Sequence, residues 1–172
     1  MKKGIIVILN GVSSSGKTTL SRDLQDKLNE NYYILASDTF CEMIHEKYLD
    51  FNNPEYVFKT LSIFRKVIKL YSDEGENVIV DTAMLENPGH NLHKNYMDLL
   101  KDYPVVLVKV ICPLEELQRR EIKRGDRYVG LAESQIPILN PQKGYDVIVD
   151  TYNSTIDECS NKIIEYINKN IK

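Results

Sequence analysis

Residues 11 to 18, Gly11-Val12-Ser13-Ser14-Ser15-Gly16-Lys17-Thr18, follow the pattern Gly, four residues, Gly-Lys-Ser/Thr. Few short sequences restrict a fold as strongly, because this one works only where a strand turns through a tight loop into a helix. Both flanks fit: the apolar run Ile5 to Leu9 precedes it, and a helix-like stretch, Leu20 to Leu28, follows. In that geometry successive backbone N–H groups turn inward around an anion, and the helix N-terminus adds its partial positive charge. Gly11, Ser13, Ser14, Ser15, Gly16, Lys17, Thr18 and Thr19 are therefore the expected phosphate-binding residues. Lys17 is expected to reach the β- and γ-phosphates of ATP, and the Thr18 hydroxyl to sit on Mg2+. The ordinary alternative, a serine-rich turn with a chance lysine, does not explain the strand and the helix on either side.

Extended and helical patterns alternate along the rest of the chain, which predicts an α/β fold with a parallel sheet. The expected strands are Ile5 to Leu9, Tyr32 to Ala36, Val78 to Val80, Val105 to Ile111 and Val147 to Val149. Their continuous apolar runs, without polar alternation, are those of strands buried on both faces. Val57, Leu61, Phe64, Ile68 and Tyr71 recur at helical spacing between Pro54 and Gly75. A second helix is expected over Leu114 to Lys123, stopped at Gly125, and Thr155-Ile156-Asp157-Glu158 reads as a capping box opening the terminal helix. Residues 125–142 carry two glycines and two prolines with little periodicity, and a loop this long within a domain suggests a lid. No repeat or linker divides the chain, so residues 1–172 are expected to form one domain.

The bulk properties exclude several function classes. A formal net charge of −3 argues against nucleic acid as the main partner. Three widely spaced cysteines form neither a disulfide framework nor a zinc pattern, which fits a cytoplasmic protein. No apolar stretch approaches the ~20 residues of a membrane span. His90 and His93, with Glu86 nearby, lack a third ligand at convincing spacing for a metal site.

In a parallel sheet, ligands bind beyond the carboxyl ends of the strands. Ser37-Asp38 follows the second strand and Asp81-Thr82 the third. Phosphoryl transfer needs an aligned hydroxyl, a metal and cations around the moving group. Asp38 is placed to accept the hydroxyl proton and Asp81 to orient Mg2+, although the two roles are exchangeable at this level. A helix N-cap is the competing role for each; for Asp81, Asn87 and Pro88 offer the following helix a better start. Arg119, Arg120, Arg124 and Arg127 crowd a helix end, where Arg120 and Arg124 share one face. A guanidinium there stacks on adenine or neutralises charge on the transferred group. Arg127 fits that role best, whereas Arg119 reads as a solvated helix terminus; Glu116 and Glu121 are the carboxylates near enough to pair with these arginines.

Ile8-Leu9-Asn10 with the phosphate loop, then Ser37-Asp38-Thr39-Phe40, together resemble the opening of the chloramphenicol phosphotransferase-like proteins. The resemblance continues in Arg120-Glu121-Ile122-Lys123-Arg124-Gly125-Asp126-Arg127, in Gly130-Leu131-Ala132 with Gln135, and in Tyr145-Asp146-Val147-Ile148-Val149-Asp150-Thr151. It implies a P-loop kinase fold related to shikimate and adenylate kinases, a five-stranded parallel sheet of order 2-3-1-4-5 sandwiched by helices, with an arginine-bearing lid. By the same resemblance Asp38 matches the catalytic base, Lys17 and Thr18 match the ATP–Mg2+ contacts, and Arg124 and Arg127 fall on the lid. The expected activity is transfer of the γ-phosphoryl group of ATP to a hydroxyl of a small molecule, antibiotics included. Two other readings stand beside it: a nucleoside or nucleotide kinase, whose loop is similar, and an ATP-binding switch with little turnover.

Overall fold

A computed structural model describes residues 2–49, 54–87, 89–125, 129–139 and 144–171. Five parallel strands form the central sheet: β1 Ile6–Asn10, β2 Tyr32–Ala36, β3 Asn77–Thr82, β4 Val105–Ile111 and β5 Val147–Asp150. Their spatial order is β2-β3-β1-β4-β5, the order implied by the family resemblance.

The two-residue period of β1 explains why helices cover both faces. Val7 and Leu9 point into one core with Leu20 and Leu24 of α1 (Lys17–Lys27) and Ile163 and Ile167 of α7 (Ile156–Asn170). Ile6 and Ile8 point into the other, with Phe64 and Ile68 of α3 (Glu55–Asp73) and Tyr96 and Leu100 of α4 (Leu92–Leu100). All four β1 side chains are fully buried, and each such burial stabilises the fold by about 1.5–3 kcal/mol. Four members of the stripe read on α3 enter the core, Phe64 and Ile68 fully buried and Leu61 and Tyr71 packed partly against them, while Val57 stays half-buried outside it.

Local signals fix the ends of these elements. Gly75, at φ 86°, takes the left-handed turn after α3 that side chains disfavour. The Thr155 hydroxyl accepts from the Glu158 amide at 3.2 Å while the Glu158 carboxylate accepts from the Thr155 amide at 2.7 Å, completing the capping box. α4 departs from the reading above: it starts at Leu92, capped by the Asn91 side chain, after a short antiparallel pairing of Glu86–Asn87 with His90–Asn91. Asn91 takes the capping role because its side chain accepts from the Lys94 amide at 2.8 Å.

Strand register positions the site. Asn10 lies opposite Thr82 on one side and Lys109 on the other, and Ala36 lies opposite Asp81. Ile111 lies opposite Asp150. The carboxyl ends of β2, β3 and β1 are thus level to within a residue, and Ser37, Asp81 and Gly11 lie along one edge of the sheet. Among the described residues no helix is long and apolar enough to cross a membrane.

Candidate active site

The loop between β1 and α1 is shaped by two left-handed residues, Ser14 at φ 61° and Gly16 at φ 94°. Such a residue at position 14 is uncommon for a side-chain-bearing type, and the loop supports it through internal bonds. The Ser15 hydroxyl donates to the Val12 carbonyl at 2.8 Å, and the Thr151 hydroxyl donates to the Ser15 carbonyl at 2.7 Å. Gly11 is buried under the loop, where a Cβ would lie 2.6 Å from the Val110 carbonyl oxygen. Gly11 and Ser15 therefore shape the cradle, while Ser13, Ser14, Gly16, Lys17, Thr18 and Thr19 line its open side. The Ser13 and Ser14 hydroxyls are buried there without a hydrogen-bond partner. Buried polar atoms left unpaired in this way point to a ligand that is to be bound.

α1 begins in this cradle with no acidic residue in its first turn, so its positive end is not offset. The Lys17 ammonium donates to the Val12 carbonyl at 2.9 Å and lies 3.8 Å from Asp81. The Thr18 hydroxyl donates to the other Asp81 oxygen at 2.7 Å. One carboxylate at the tip of β3 thus meets both residues that the loop directs at phosphate and metal.

Asp38 stands in the first turn of α2 (Ser37–Glu42), exposed and facing the same cleft. It does not cap α2, whose N-cap is Ala36. The cleft encloses about 360 Å³, within the range of small-ligand sites. Behind it, fully buried Asn10 donates to the Tyr145 hydroxyl at 2.6 Å and accepts from the Met84 amide at 2.8 Å, which ties the exit of β3 to β1.

The cationic side is built from α5 (Leu114–Arg124). Arg120 donates to the Ser14 carbonyl at 3.3 Å, to the Thr151 hydroxyl at 3.1 Å and to the Thr151 carbonyl at 2.9 Å. It also pairs with Glu116 at 2.7 Å, as Arg119 does at 2.6 Å. These two guanidinium partners push the Glu116 carboxyl down to about 2. Arg120 lines the cleft, yet its fork clamps the phosphate loop to the turn after β5. Arg124 lines the cleft as well, beside Lys123. Arg127 lies outside the described residues.

The sequence profile of the chloramphenicol phosphotransferase-like proteins matches residues 4–168. The chain belongs to that family. As a member it is an ATP-dependent kinase of small molecules. It is 30% identical to an adenylyl-sulfate kinase of Clostridium acetobutylicum, across 96% of this chain and 84% of that protein. It is 26% identical to a candidate O-phosphotransferase of Mycobacterium tuberculosis, across 96% of this chain and 83% of that protein. In fold it is similar to the M. tuberculosis APS kinase in complex with AMPPNP and APS, with TM-score 0.76, 19% identity and coverage of 98% and 99% of the two chains.

Within this kinase, the segment expected as an irregular lid holds a short helix, α6 (Leu131–Gln135), among its described residues. Ala132 and Leu139 pack with Val12 and Leu117, so the segment is built onto the phosphate loop. The Gln135 side chain accepts from the Ser13 amide at 2.7 Å. Among the described residues Glu121 pairs with backbone amides and not with the arginines its position suggested. It is fully buried, and its two oxygens accept from the amides of Gly130 at 2.9 Å and Ala132 at 2.7 Å. These amides belong to the start of α6, where N–H groups have no intrahelical partner, so one carboxylate satisfies both. Glu121→Ala is therefore expected to leave both amides unpaired and to lower stability by about 2–4 kcal/mol. Urea unfolding reads this directly, and a loss below about 1 kcal/mol would contradict the anchoring role.

Gln135, Thr151 and Lys123 line the cleft but do not stand out chemically in the sequence. All three belong to the residue blocks that carry the family resemblance, which is their one signal in the sequence.

Proposed function

We propose that this kinase moves the γ-phosphoryl group of ATP to a hydroxyl of a small acceptor, with Asp38 as the general base. The observation that carries the reading is that Asp38, Asp81, Lys17 and Thr18 all border one cleft, at the level carboxyl ends of β2, β3 and β1. The acceptor oxygen attacks the γ-phosphorus and loses its proton to the Asp38 carboxylate, while the bond to the ADP oxygen breaks. Lys17 and the amides of the α1 N-terminus hold the β- and γ-phosphates and take up the charge that moves onto ADP. Thr18 and Asp81 supply a hydroxyl and a carboxylate 2.7 Å apart, a donor set that suits a hard divalent cation. Mg2+ held there would neutralise charge on the phosphate oxygens. Arg124, which lines the cleft from α5, supplies further positive charge, and Arg127 is assigned the same role from its sequence position alone.

The test is a panel of hydroxyl compounds assayed for acceptor-dependent ADP release: nucleosides, nucleoside monophosphates, adenylyl sulfate, sugars and antibiotics. The reading expects one class to stimulate ADP release with stoichiometric phosphorylation of the acceptor. Selective use of nucleosides or nucleoside monophosphates would move the assignment to a nucleoside or nucleotide kinase. Tight ATP binding without stimulation by any compound would favour a switch protein and overturn the proposal.

A further inference from the structure

Among the described residues, six buried side-chain polar atoms have no hydrogen-bond partner. Two are the Ser13 and Ser14 hydroxyls of the phosphate cradle, and one is the isolated Tyr32 hydroxyl. The other three, Arg65 Nη1, His93 Nε2 and the Tyr96 hydroxyl, come from α3 and α4, which pack against each other. The phosphate chemistry above does not use them.

The guanidinium carbon of Arg65 is 5.6 Å from the centroid of the Tyr96 ring. Thr82 is the side chain nearest to pairing with the Tyr96 hydroxyl, at a geometry short of a full hydrogen bond, and Cys41 lies within electrostatic reach. Thr82 lines the cleft next to Asp81. Cys41 is one helical turn beyond Asp38 on α2, and the Asp38 charge, after burial, helps to raise its thiol pKa. Phe40 of α2 packs its ring 4.8 Å from that of Phe64, the residue before Arg65, so the helix that carries Asp38 lies against the helix that carries Arg65.

The chemistry of the group is one-sided. Burial pushes the Tyr96 phenol up to about 12, so it remains a neutral hydrogen-bond donor at pH 7. Burial pulls Arg65 down, and no carboxylate contributes to offset this. No hydrogen bond or ion pair holds the Arg65 guanidinium among the described residues. A half-buried guanidinium without an anion is unusual, because desolvation without a counter-charge is costly. His93, one turn before Tyr96 on α4, adds a third unpaired polar atom to the same helix face. A bridging water is the plain alternative, but a water leaves the guanidinium charge uncompensated.

We propose that Arg65 and Tyr96 form an oxyanion site on the acceptor side of the cleft, so that the acceptor carries a phosphate, sulfate or carboxylate group besides the hydroxyl that is phosphorylated. This rests on the kinase reading above and narrows its substrate class. The guanidinium and the phenol bind the anionic group, which leaves the acceptor hydroxyl at Asp38.

Two variants separate this from a packing role. Arg65→Met keeps the apolar stem and removes the charge; Tyr96→Phe removes only the hydroxyl. Sulfate is titrated calorimetrically into protein saturated with Mg2+ and a non-hydrolysable ATP analogue, so that the phosphate loop is already filled. The wild type is expected to bind sulfate, Arg65→Met to bind it about tenfold more weakly or not at all, and Tyr96→Phe to fall between. Unchanged affinity for the ATP analogue in both variants shows that fold and nucleotide site are intact. In turnover, hydroxyl compounds are offered in pairs with and without the anionic group. Arg65→Met is expected to raise KM for the anionic member about tenfold, with little change in kcat or in KM for ATP. No sulfate binding by the wild type, equal binding by Arg65→Met, or preference for the neutral members overturns the inference. Failure of every compound to accept phosphate, with sulfate binding as expected, rejects the kinase reading and retains the anion site.

Discussion

Lys17→Ala is expected to lower kcat/KM by about a hundred- to a thousandfold, with the larger part in kcat. The ammonium rests between the Val12 carbonyl and Asp81, so it is held at the mouth of the cradle before any nucleotide arrives. Ground-state binding of ATP also draws on the loop amides and the α1 N-terminus, which the substitution leaves in place. Charge that grows on the β–γ bridge during transfer has no equivalent replacement. Steady-state kinetics with ATP varied, beside calorimetric binding of a non-hydrolysable analogue, separates the two contributions. A fall confined to ATP affinity, with kcat preserved, would mean that Lys17 only binds.

Asp38→Asn is expected to reduce kcat by about 10²–10⁴-fold while affinity for the ATP analogue changes less than about twofold. The substitution is nearly isosteric at an exposed position in the first turn of α2, and the Asp38 side chain does not cap that helix. Stability should therefore be almost untouched, and the loss should fall on the chemical step. Asp81 offers the contrast. Its two oxygens face Thr18 and Lys17, so changing it should disturb nucleotide and metal binding as well as turnover. The different patterns in these two aspartates resolve the exchange of roles that the sequence leaves open.

Much of this architecture is legible before any coordinates, for identifiable reasons. Buried parallel strands are continuous β-branched runs, and Val105 to Ile111 spans the same residues in sequence and structure. The phosphate loop carries its geometry in its glycines, and the Thr155 capping box is a purely local interaction. Effects that depend on tertiary partners are not legible in this way. Val78 to Val80 reads as the third strand, but pairing of Asp81 and Thr82 with Leu9 and Asn10 carries the ladder two residues further. Glu121 lies among basic residues in sequence, and only the fold of the following segment brings the Gly130 and Ala132 amides to it. Arg65 belongs to no motif in the sequence, and its position against Tyr96 requires α4 to pack beside α3.

The central claim is that the phosphoryl group passes from ATP to an acceptor hydroxyl whose proton goes to Asp38. Phosphorus NMR on a reaction mixture of the kinase, Mg2+, ATP and the best acceptor from the panel tests it most directly. The wild type should convert ATP to ADP and a phosphate monoester of the acceptor in equal amounts, whereas Asp38→Asn should bind ATP and form almost no monoester. Release of inorganic phosphate in place of the monoester, or monoester formation by Asp38→Asn at the wild-type rate, would contradict it.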